Sequence, residues 1–69
     1  MTYRWRSAGT DYRYLILRST LDGHLAWHWK VLELARNIVV REGWTGGQHR
    51  DARQDVDRAI YELETARAA

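Results

Sequence analysis

With no cysteine among its 69 residues, the chain must hold itself together by side-chain packing alone. A domain this short buries only about 60% of the surface its unfolded chain exposes. The residues that bury most area per position therefore decide the fold. Four Trp and four Tyr are the available material, since each such ring can bury roughly 150 to 250 Å². A single domain over residues 1–69 is expected, and a homodimer would be a second way to extend so small a core.

The C-terminal segment has the plainest pattern. Ala52, Val56, Ala59, Ile60, Leu63 and Ala66 recur at helical spacing with Arg, Asp, Gln and Glu around the remainder, which predicts an amphipathic helix over about 48–67 laid on a core. Thr45 and Gln48 have capping-box spacing, and Asp51 offers an alternative cap for a later start after Gly46 and Gly47.

The rest reads as strands. Tyr3, Arg4, Trp5 and Arg6 alternate aromatic with charged, and Asp11 to Arg18 is again rich in strand formers. A hairpin with residues 7–10 as its loop pairs Arg6 with Asp11, Trp5 with Tyr12, Arg4 with Arg13 and Tyr3 with Tyr14. Asp22 and Gly23 carry a turn signal, after which Leu25, Trp27, Trp29 and Val31 alternate with His24, Ala26, His28 and Lys30. Asn37 tolerates a left-handed turn and precedes a β-branched run. The expected fold is α+β: an antiparallel sheet of three to four strands, at about 3–7, 11–19, 24–32 and 37–42, with one C-terminal helix. The rival is a β-hairpin plus two helices, because Trp27, Val31, Leu34, Ala35 and Ile38 also fit a helical template.

Little points to catalysis or to a metal. His24 and His28 share a side but His49 is remote, and no Cys or H-E-x-x-H pattern joins them. No G-x-S-x-G elbow or thiol nucleophile occurs. Gly46 and Gly47 lack the surrounding pattern of a nucleotide loop. The expectation is a non-enzymatic protein with no metal and no cofactor. The aliphatic runs Leu15–Leu17 and Ile38–Val40 are three residues long, far short of the ~20 that cross a bilayer, so no membrane is expected. A secreted domain of this size would commonly be disulfide-rich, and no signal-peptide pattern follows Met1; a cytoplasmic location is expected.

Charge is sorted along the chain. Residues 1–41 carry seven Lys/Arg against three Asp/Glu, and residues 42–69 carry four against six. The hairpin register puts Tyr3, Trp5, Tyr12, Tyr14, Ile16, Leu25, Trp27, Trp29, Val31, Ile38 and Val40 on one face, under the helix. The opposite face would then present Arg4, Arg6, Arg13, His24, His28, Lys30 and Arg41, with Leu15, Leu17 and Val39 among them. One helix cannot cover both sides of a sheet, so this second face is the candidate partner-binding surface, with Arg4, Arg6, Arg13, Leu15, Leu17, His28, Lys30 and Arg41 as its residues. Another protein, a nucleoprotein complex included, is the expected partner; the alternative is nucleic acid held by a basic sheet face.

The stretch from Trp27 to Val31, through Asn37 to Val40 and on to Ala52, Ala59 and Ile60, resembles the ββα unit of YegP-type small domains over about half the chain. Arg36, Asn37 and Ile38 stand where that family tends to have Asn-Gly, and the helix starts later, so the resemblance implies a topology. The chain is also similar in character to phage-encoded inhibitors such as anti-CRISPR proteins, which are short, Cys-free, aromatic-rich and without catalytic motifs. That resemblance implies a steric mechanism, blockade of a nucleic-acid-handling complex. Many such inhibitors are acidic mimics of DNA, and the net charge of +2 departs from that pattern.

Overall fold

A computed structural model describes residues 4–68. Strands β1 (Arg6–Ala8), β2 (Tyr12–Leu21), β3 (His24–Glu33) and β4 (Ile38–Thr45) form one antiparallel sheet in the order β1-β2-β3-β4, and helix α1 (His49–Ala68) follows. The α+β expectation holds, and residues 24–36 are strand and turn where the rival reading had a helix. Strand wins there because alternation puts Trp27, Trp29 and Val31 on the one side of the sheet that the helix covers.

Turn chemistry fixes the long central hairpin. Asp22 (φ 52°) and Gly23 (φ 79°) both take left-handed conformations between the paired Leu21 and His24, as a two-residue hairpin turn with the strands' own twist requires. Asn37 (φ 55°) does the same at the end of the turn into β4, where Arg36 grips Glu33 with two side-chain hydrogen bonds.

The first hairpin differs from its predicted register. Arg6 pairs with Tyr14, Ser7 with Arg13 and Ala8 with Tyr12, across a loop of Gly9, Thr10 and Asp11. This is three residues away from the pairing that places Arg6 opposite Asp11. An odd shift exchanges faces, so Arg6 comes to the helix side. Gly9 (φ 74°) permits the tighter loop, and the small Ala8 then meets Tyr12 at the core. Tyr3 and its predicted pairing with Tyr14 lie outside the described residues.

Tyr12, Tyr14, Val31, Val56, Ala59 and Ile60 form the core, with Ile16, Trp29, Val40 and Leu63 packed against it. Val31 and Val56 are wholly buried, a contribution of about 1.5 to 3 kcal/mol each. Leu25 and Ile38, expected inside, are exposed, since they lie toward the strand ends beyond the core. At the helix start neither predicted cap is used as such. Gln48 precedes the first turn and its backbone N–H donates to Asp51 Oδ2 at 2.8 Å, the carboxylate reaching back from three residues along. Thr45 points elsewhere: it accepts from Trp29 Nε1 at 3.0 Å and donates to Asp55, tying β3, β4 and α1 together. Asp51 and Asp55 thus both hold structure together, Asp51 at the helix start and Asp55 through Thr45.

Candidate functional site

Strand alternation and register decide which side chains share the face away from the helix. Three rows cross it: Arg13, Leu32 and Val39; Leu15, Lys30 and Glu42; Leu17, His28 and Trp44. In the last row the rings of His28 and Trp44 lie 4.3 Å apart and 2° from parallel, a face-to-face stack. Trp44 is 42% exposed. His28 Nε2 is buried without a hydrogen bond, 3.5 Å from Glu42 Oε1.

Five of the eight predicted site residues, Arg13, Leu15, Leu17, His28 and Lys30, share this face. Leu15 is only 8% exposed, so it serves as local packing and Leu17, half-buried, is the more accessible of the pair. Arg41 is a correction. Val40 is an extra residue at an irregularity in the β3/β4 register, so Val39 opposes Leu32 while Arg41 opposes the buried Val31 on the helix side. A β-bulge breaks the period of two and moves every later side chain to the other face. The same bulge brings Glu42 and Trp44 to the outer face, and sequence reading missed both. Trp44 also lay beyond the predicted end of the strand at 42. The face is therefore apolar and aromatic with mixed charge, Arg13 and Lys30 beside Glu42, and lacks the uniform basicity expected of it.

Arg4 and Arg6 belong elsewhere. With His49 and the Tyr14–Leu17 stretch of β2 they line a cavity of about 260 Å³. β1 pairs with β2 only as far as Tyr14, so the cavity sits beside the part of β2 beyond that pairing. His49, at the first residue of α1, meets Trp27 edge-on at 5.2 Å, and Trp27 is pinned by its Nε1, which donates to the Gly47 carbonyl oxygen at 2.9 Å. Arg53 lies over the Tyr14 ring at 4.5 Å and donates to its hydroxyl at 2.6 Å. Its guanidinium is held charged above its ordinary range, chiefly by the hydrogen bond to Asp57. Arg4, Arg6 and His49 are the nitrogen-bearing side chains that line the cavity among the described residues, and none of those residues places a carboxylate within ion-pair distance of Arg4, Arg6 or Arg18.

Among the described residues, no group of three or more His, Cys, Asp or Glu is placed to hold a metal ion, and no helix is long and apolar enough to cross a membrane. No known family model, curated protein or solved structure matches the chain.

Proposed function

We propose that the chain is a non-enzymatic protein-binding module whose outer sheet face docks on a partner protein. The observation that carries this reading is the Trp44/His28 stack standing on a face that α1 does not cover, with Leu17 in the same row and Arg13 and Lys30 in the rows beside it. Tyr, Trp and Arg anchors surrounded by less critical contacts are the usual composition of an interface centre. A steric inhibitor of a nucleic-acid-handling complex, of the phage-encoded anti-CRISPR kind and acting in the cytoplasm, is the specific form of this proposal.

Charge weighs against direct nucleic-acid binding by this face. Of the arginines and lysine assigned to it from sequence, Arg13 and Lys30 share it, and Glu42 stands beside Lys30, whereas phosphate recognition draws on several unopposed cations.

The test is affinity capture from host lysate, in nuclease-treated and untreated halves, with the natural chain and with a Trp44→Ala, Lys30→Glu variant whose circular dichroism is unchanged. A protein retained after nuclease by the natural chain and lost with the variant supports the reading. Capture that disappears with nuclease moves the function to nucleic acid, and capture indifferent to the variant places binding on another surface.

A further inference from the structure

The outer edge of β2 and the basic cavity beside it point to a second docking site. The Leu34 N–H donates to the Asp11 carbonyl at 3.0 Å, in register with the β2/β3 ladder. Antiparallel bonds alternate, so the odd-numbered residues of β2 turn their backbone groups toward β3 and the even-numbered ones turn theirs away from it. Tyr12 and Tyr14 spend theirs on β1. Ile16, Arg18 and Thr20 therefore direct N–H and C=O groups to an edge that no described residue pairs with.

Such an edge accepts another strand, and what flanks it selects which. On the helix side stand Arg6, Arg18 and His49, Arg4 lines the same cavity as Arg6 and His49, and among the described residues no carboxylate lines it. On the other side are Leu15 and Leu17. We propose that this edge binds an extended segment of a partner protein with acidic residues at every second position and apolar residues between them. Alternate side chains of an added strand point to opposite faces, so the acidic ones meet the arginines while the apolar ones lie beside Leu17. Backbone groups that no described residue pairs with favour a peptide over a nucleic acid, which has no ladder of donors and acceptors to offer them. The opposite edge is less suited, because β4 is bulged at Val40 and carries Arg41 and Glu42 in succession, devices that discourage pairing. The inference rests on the protein-binding reading and extends it to a surface that the outer face does not reach.

The experiment is NMR titration of the full chain with a short synthetic peptide alternating Glu and Val, blocked at both ends. Its comparators are a peptide of the same composition with the glutamates grouped together and one alternating Lys and Val. Binding of the first peptide alone is expected, with amide shifts and new exchange protection at Ile16, Arg18 and Thr20. An Arg4→Glu, Arg6→Glu variant should weaken it roughly tenfold. Thr20→Pro, which removes an edge donor but no bond to β3, should weaken it while preserving the sheet. Equal binding of the grouped peptide, shifts confined to the Trp44 face, no binding, or amides already protected without peptide would each overturn the proposal. Failure here with lysate capture still dependent on Trp44 and Lys30 leaves the outer-face reading standing; peptide binding together with capture indifferent to those residues removes the outer face and keeps the edge.

Discussion

The indole of Trp29 lies directly on Gly43, its cross-strand neighbour. A methyl group built on Gly43 would come within 2.6 Å of Trp29 Cζ2. The glycine is there because the ring occupies the space a side chain would need, and the ring is there because its Nε1 reaches Thr45.

Gly43→Ala should therefore destabilise the fold by about 1 to 3 kcal/mol, the usual cost of overpacking. Urea denaturation followed by tryptophan fluorescence measures it. An unchanged midpoint would show that the indole moves aside freely.

Thr45→Val should cost about 1 to 3 kcal/mol, because it leaves the part-buried Trp29 N–H without an acceptor and Asp55 without its donor. The Trp29 indole proton resonance should move in the folded variant. A stable variant with that resonance unmoved would dissolve the proposed tie between β3, β4 and α1.

Ile60→Ala should destabilise by roughly 2 to 5 kcal/mol, because Ile60 is buried against the sheet in the same cluster as Tyr12 and Val31. Thermal and urea unfolding both read this, and a near-neutral result would refute the packing of α1.

Arg36 holds the Glu33 carboxyl below its ordinary value of 4.5, mainly by hydrogen bonding to it. A carboxyl whose folded value is depressed stabilises the fold above its unfolded pKa, and that contribution is lost as pH falls through the folded value. Arg36 is exposed and Glu33 half-buried, so solvent screens the pair and the effect on stability is small. The clean measurement is an NMR titration of Glu33, whose midpoint should rise toward 4.5 in Arg36→Ala; an unmoved midpoint would assign the depression to another cause.

The helix, the two central strands and their Asp22/Gly23 turn were legible because each rests on local chemistry: a helical apolar stripe, alternation, and residues that accept positive φ. What escaped depends on counting across a gap. The first hairpin could be closed with a loop of three or four residues, and the wrong choice carried Arg6 to the wrong face. The bulge at Val40 has no sequence signature of its own, and it misplaced Arg41 and concealed Glu42 and Trp44. Capping at Asp51 was readable as a position, but its role as the residue reaching back to Gln48 was not.

The strand order β1-β2-β3-β4 makes every pairing in the sheet one between neighbours in the chain. No strand waits for a distant segment to arrive, so the loop-closure entropy of assembling the sheet is small. Only α1 closes over long separation, bringing Arg53 to Tyr14 and Arg67 to within 3.6 Å of Asp11. The sheet is thus the part of the molecule that can be extended one strand at a time, and the helix is the part that fixes which of its two sides remains open.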